Sequence, residues 1–282
     1  MTDFFFALLD PSNSFLRLAL MAGTLASFSF GIMGTYVVTR RIGYLAGAIA
    51  HCVFGGIGAA LYLKHRWGLA WLDPIHGALA SAMVAAVIIG LVSMKAGERE
   101  DSIIGALWAV GMAAGLIFID LTPGYFELSS YLFGDILLIS GQDIVLVAVL
   151  DVVIIALAVI FHHTFQAVCF DEEFATLRGI NTPFFYILLL IMTAVTVVLL
   201  VRLVGVIMVI AMLTLPAAAA STLSRRLSTI MVLAIAFSLL FNWSGLALSY
   251  TLDLSAGPVI ISVAGLVYLG LLTLNRLLPT RE

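Results

Sequence analysis

His51 is the residue best placed to do chemistry in an otherwise apolar stretch, residues 42–58. Imidazole suits zinc, manganese or iron as a ligand. Read as a helix, Gly43, Gly47, His51 and Gly55 recur every four residues and share one face, with Gly58 close to it. Small residues at that spacing let a neighbouring backbone approach closely. His51 is therefore expected against protein or a pathway and away from lipid. A hydrogen bond across to a neighbouring helix and a role on a pathway are equal readings of such a histidine, since ionisable groups at membrane depth are commonly functional. Cys52 points about 100° away around the helix. It reads as a small buried apolar residue and not as a co-ligand.

Few other polar groups fall inside apolar segments. Asp151 sits mid-way along one of them, and three readings stay open for it: neutral, paired with Arg202 or His51, or part of a pathway. Asp101, Asp120 and Asp143 fall at segment ends, where solvation explains them. Asn242 and Ser244 read as interhelical hydrogen-bonding groups. Pro216 is expected to kink its helix and free a carbonyl near Met212. The chain has no phosphate loop, no H-E-x-x-H and no nucleophile grouping, so ATP-driven work would fall to another subunit.

A different chemistry belongs to Phe170-Asp-Glu-Glu-Phe-Ala-Thr-Leu-Arg-Gly-Ile180. It reads as a short helix with Asp171 as N-cap, Glu172 and Glu173 at the positive end of the dipole, Arg178 near the other end and Gly179 in the left-handed position after it. Phe170, Phe174 and Leu177 share a face that no membrane span of its own needs. The segment is a surface connector or, given its acidic first turn, a docking helix for a soluble partner.

The elements that must hold these residues follow from composition. Of 282 residues, 63% are hydrophobic and 10% charged, with mean hydropathy +1.18. A soluble domain of that length could not hide so much apolar surface. The chain is expected to be a single transmembrane domain, 1–282, of the all-α polytopic class, with no nucleic-acid-binding patch. Cys52 and Cys169 lie on different segments, and no structural disulfide is expected. Phe4-Phe-Phe-Ala-Leu-Leu9 reads as an interfacial segment and not as a signal peptide.

Spans are expected at about 15–38, 42–63, 74–94, 102–119, 143–161, 183–201, 203–221, 228–250 and 257–277. Asp73-Pro74 is a good helix start. The piece around 131–140 is too short for a bilayer of roughly 30 Å and reads as a re-entrant or broken helix. With the N-terminus outside and the C-terminus cytoplasmic, nine of the thirteen Lys and Arg fall inside: Arg40, Arg41, Lys95, Arg99, Arg178, Arg225, Arg226, Arg276 and Arg281. That asymmetry fits the positive-inside rule.

Five motifs then coincide in order: Ala46-Gly-Ala-Ile-Ala-His51 through Gly56, Glu100-Asp101-Ser-Ile-Ile-Gly105, Tyr131-Leu-Phe-Gly-Asp-Ile-Leu-Leu138, Phe170-Asp-Glu-Glu-Phe-Ala175 with Gly179-Ile180, and Val204-Gly-Val-Ile-Met-Val-Ile-Ala211 through Pro216-Ala-Ala-Ala219. In these the chain resembles the membrane permease of bacterial ABC importers for zinc, manganese or iron ions. The resemblance implies the ABC importer permease fold, a homodimer with the ion path at its interface, a cytoplasmic ATP-binding subunit, and an extracytoplasmic metal-binding protein that delivers the ion. It implies no permanently bound cofactor; the cargo is a divalent metal ion, and ATP binds the partner. His51 would lie on or beside the path. Phe170, Asp171, Glu172, Glu173, Phe174, Ala175 and Gly179 would form the coupling segment that contacts the ATPase.

The chain departs from that pattern in places. Many relatives carry Asp four residues before the histidine, where Gly47 stands here. Ala50 replaces a Ser, Gly55-Gly56 a Pro-Gly, and Asp135 an Asn. Asp135 and Asp151 are the carboxylates that could join His51 on the path. With imidazole dominating the visible ligands, zinc is favoured slightly over manganese or iron. A metal-chelate permease and an ion-coupled secondary transporter with a His51 and Asp151 relay are the alternatives.

Overall fold

The computed structural model describes residues 2–10, 13–94, 100–124, 134 and 139–277. Every regular element among them is an α-helix. A short α1 (Thr2–Leu9) precedes α2 (Ser14–Thr39), α3 (Gly43–Trp67), α4 (Pro74–Ser93), α5 (Glu100–Asp120) and α6 (Gly141–Ile160). Two short helices follow, α7 (His162–Phe170) and α8 (Glu172–Leu177). The chain closes with α9 (Thr182–Leu223), α10 (Leu227–Leu252) and α11 (Ala256–Leu277). Eight helical segments among the described residues are long and apolar enough to cross a membrane, and Thr182–Val198 adds a shorter apolar helix. This is the all-helical polytopic architecture that the span lengths imply. The short piece at 131–140 lies largely outside the described residues.

Local chemistry sets the helix ends. Asp73 accepts a hydrogen bond from the Ile75 amide at 3.2 Å, and Pro74 opens α4 behind it. Ser140 and Asp143 cap α6 reciprocally, Ser140 N–H donating to Asp143 Oδ2 at 3.1 Å and Asp143 N–H to Ser140 Oγ at 3.3 Å. Asp143 thus serves its own helix start. Gly68, at φ 65°, ends α3 in the left-handed position that glycine occupies without strain.

The sixth and seventh spans are two helices that meet end to end at a kink, labelled together α9. Only Gly205 leaves helical geometry in it, at φ 77° and ψ 162°. A Cβ is hardly tolerated there, so glycine fixes where the helix breaks. The helix continues through Pro216 to Leu223.

The fold puts α3 at the centre. In its apolar window 78% is buried, against 22% for α5, α6 and α11. Helices α4 and α5 flank it, while α2 packs on α6, α9 and α10. The outer helices leave Val145, Val149, Val152 and Leu266 exposed, which suits a lipid environment. Helix α1 docks on the bundle through Phe4, edge-on to Tyr250 with centroids 5.9 Å apart.

Candidate functional site

Glycine governs how α3 meets its neighbours. A Cβ on Gly55 would stand 2.7 Å from the Gly111 carbonyl oxygen, and one on Gly58 2.6 Å from that of Gly115. Both partners lie on α5, so the two backbones touch along the face that also carries His51. Gly56 turns the other way and abuts Gly77 and Ser81 of α4. Glycine is needed on both flanks because α3 has a helix against each.

His51 faces α5, as its place on the glycine face implies. Its ring lies against Trp108, centroids 4.9 Å apart and planes 32° from parallel. The imidazole is half-buried, and its Nδ1 is buried with no hydrogen-bond partner among the described residues. One turn earlier, a Cβ on Gly47 would come within 2.6 Å of the Trp108 ring. The indole therefore fills the space beside Gly47 while lying tilted against His51. Cys52 is buried and directs its Sγ to the Leu107 carbonyl at 3.5 Å, apart from the imidazole. Both cysteines are free thiols.

Asp151 occupies a different place. It is 5% exposed on α6, where Ser29 of α2 donates a hydrogen bond to Oδ1; Oδ2 has no partner among the described residues. His51 and Asp151 thus have separate neighbours. Asp135 lies outside the described residues. Among the described residues no three His, Cys, Asp or Glu side chains gather into a metal-holding group.

The segment 170–180 has the local form its sequence dictates. Asp171 Oδ1 accepts from the Phe174 amide at 2.8 Å, and Gly179 takes φ 81° after the last turn. Ala175 is fully buried beneath the helix, while Phe170, Phe174 and Leu177 stand 59%, 49% and 87% exposed. Glu172 differs from its neighbours, because it pairs with the Arg40 guanidinium. The exposed acidic groups are Asp171 and Glu173.

Arg40 is the centre of this region. Besides Glu172 it donates to the Val168 carbonyl at 3.0 Å and lies 5.4 Å from the Tyr186 ring centre. The Tyr186 hydroxyl is 2.9 Å from Ser93 Oγ at the end of α4. One side chain at the end of α2 thus binds α7, α8 and the start of α9. Directly after it Arg41 takes φ 61°, and the chain turns into α3. Below, Cys169 is buried, and burial pushes its thiol up to about 12 against the opposing pull of Arg40.

Trp108, Arg40, Ser29 and Tyr186 were not singled out by sequence. Arg40 was legible only as one more basic loop residue. Trp108 carries no signal of its own, since an aromatic in an apolar helix is ordinary.

The model of the ABC 3 transport family matches residues 12–275. The chain belongs to the ABC 3 transport family. This permease is 42% identical over 259 residues to the "Probable metal transport system membrane protein" of Chlamydia trachomatis serovar D, covering 92% of its own length and 88% of that protein's. It is 30% identical over 255 residues to the "Manganese transport system membrane protein MntC" of Listeria monocytogenes serovar 1/2a, covering 90% and 89%. Its backbone matches a chain of "PsaBC from Streptococcus pneumoniae in complex with Fab" with a TM-score of 0.84 at 27% identity, over 96% of this chain and 94% of that one. The membrane-permease assignment carried by the five motifs therefore holds over nearly the whole chain.

Proposed function

We propose that this permease carries a divalent transition-metal ion inward across a bacterial plasma membrane, driven by ATP hydrolysed on a separate cytoplasmic subunit. The observation that carries this reading is His51, an imidazole on the most enclosed helix whose Nδ1 is buried without a partner. An unengaged ring nitrogen at membrane depth is a ready donor for a passing cation. The names of the Chlamydia and Listeria relatives support metal as the cargo. Two copies facing one another would present an imidazole from each, with the path at their interface and access alternating between its sides. An extracytoplasmic metal-binding protein would deliver the ion.

The ATPase docks on α8 and its flanks. Exposed Phe170, Phe174 and Leu177 with Asp171 and Glu173 offer an apolar patch edged by acid. An N-terminus outside and a C-terminus in the cytoplasm put this segment and most of the basic residues on the inner side. Coordination falls to His51, and Asp151 serves the contact of α2 with α6, as its bond from Ser29 supports.

Zinc is the favoured ion, because imidazole is the ligand in view and its Nδ1 has no carboxylate partner among the described residues. Manganese is the second reading, favoured by the Listeria relative's name.

Metal-resolved uptake tests this in cells lacking their own importers, with the ATPase and binding protein co-expressed. Zinc uptake that depends on the ATPase and falls at least about tenfold in His51→Ala is the expected result. Uptake independent of the ATPase would favour an ion-coupled carrier, and His51→Ala at the wild-type rate would remove the histidine from the path.

A further inference from the structure

We infer that Arg40 is a positioning residue for transport, the side chain that makes α8 and the His51 helix move together; this rests on the reading that the ATPase docks on α8. Three elements meet at its guanidinium. One arm pairs with Glu172 of α8, another donates to the Val168 carbonyl of α7 at 3.0 Å, and Cζ lies 5.4 Å from the ring centre of Tyr186 near the start of α9. A planar fork suits this place, because it serves a carboxylate and a carbonyl at fixed angles with one charge.

The backbone behind Arg40 is closed by hydrogen bonds. The Arg41 amide donates to the Val38 carbonyl at 3.0 Å and the Ile42 amide to that of Val37 at 2.9 Å, with Arg41 at φ 61°. This is the doubly bonded helix end that glycine usually makes. Helix α3 begins at Gly43, directly after it, and His51 follows about two turns along. A pull on the guanidinium therefore reaches α3 through a bonded turn, with no slack loop between. Other routes are longer. Helix α8 packs on α7 and α9, and α3 chiefly on α4, α5 and α9. The link of α8 to α9 is at its start, where the Thr176 and Thr182 hydroxyls are 3.1 Å apart; Gly43 meets Thr214, beyond the break at Gly205. The ion pair is also partly exposed, 23% and 42% for the two side chains, so a docked subunit that covers it would exclude water and strengthen it.

The test uses the full transporter in vesicles, with the binding protein loaded with zinc or with manganese. Metal moved per ATP hydrolysed is measured beside the binding of the ATPase. Arg40→Gln is expected to keep ATPase binding and ATP hydrolysis within about twofold of wild type and to lose about tenfold in metal moved per ATP. Glu172→Gln is expected to lose about threefold, because the Val168 and Tyr186 contacts remain. The double variant is expected to match Arg40→Gln, since both changes break one connection. A merely structural arginine would lower uptake and hydrolysis together, with the amount of folded protein, and leave their ratio unmoved.

A wild-type ratio in Arg40→Gln overturns the inference, and so does a double variant that loses the product of the two single effects. Should Arg40→Gln not accumulate, Arg40→Lys takes its place: one ammonium cannot fork between Glu172 and Val168, and about threefold should be lost. Wild-type permease that binds no ATPase, or moves neither metal, refutes the proposed function instead, so the two failures are distinct.

Discussion

The guanidinium of Arg40 and the carboxylate of Glu172 form an ion pair that ties the end of α2 to α8. Arg40 also bonds the Val168 carbonyl and lies over Tyr186, so it links the 170–180 segment to the turn that leads into the His51 helix.

Arg40→Ala should therefore destabilise more than Glu172→Ala, because it also strips the Val168 carbonyl and the Tyr186 ring of a partner. The pair itself is partly exposed, 23% and 42% for the two side chains, so its coupling in a double-mutant cycle should be about 1 kcal/mol at most. Thermal unfolding of the purified protein in detergent measures both quantities. The exchanged pair, Arg40→Glu with Glu172→Arg, should recover the coupling lost in either single charge reversal.

Ser29 and Asp151 make a buried contact inside the bundle, and removing one partner alone leaves the other unmatched. Ser29→Ala should cost about 1–3 kcal/mol by stripping Asp151 of its hydrogen bond. The double change Ser29→Ala with Asp151→Leu should cost less than Ser29→Ala alone, since no buried polar group is then abandoned. Metal uptake by Asp151→Asn should stay close to wild type. A loss as large as that of His51→Ala, at equal protein level, would move Asp151 onto the path.

The α3–α5 contact should be intolerant of even one methyl group. Gly55→Ala places a Cβ 2.7 Å from the Gly111 carbonyl oxygen, and backbone cannot yield as a side-chain tip can. About 1–3 kcal/mol of stability should be lost. Gly105→Ala, on the same helix as Gly111 but with open space around it, is the control and should be nearly neutral.

Cys169 should resist alkylation at neutral pH. Its thiol is raised to about 12 by burial, which favours the protonated form, and the thiolate is the reactive one. At pH 8 the thiolate is therefore a very small minority. Maleimide labelling in a Cys52→Ala background should be slow in the folded protein, quicken about tenfold per pH unit, and become rapid on denaturation. Fast labelling of folded protein at pH 7 would mean that α7 opens readily.

The features legible in the sequence are those set by neighbours along the chain. Asp73-Pro74, Asp171 and Gly179 act within one turn, so cap and turn chemistry locates them directly, whereas Asp143, read as a solvated segment end, proves to cap its own helix with Ser140. Apolar length sets the spans in the same way, although the boundary between the sixth and seventh lies at Gly205 and not at residue 202. The four-residue glycine spacing even indicated which face of α3 a neighbouring helix would meet.

Which helix that is, and which side chain comes with it, lay beyond any local rule. His51 meets Trp108, Asp151 meets Ser29, and Glu172 meets Arg40, each across a contact between segments far apart in the chain. Periodicity gives the face a residue occupies but not its opposite number. The sequence by itself determined a polytopic helical permease with a histidine on its glycine-lined helix. Only the tertiary structure decided that an indole stands beside that histidine, because the packing of α5 on α3 brings Trp108 into the space that Gly47 leaves free.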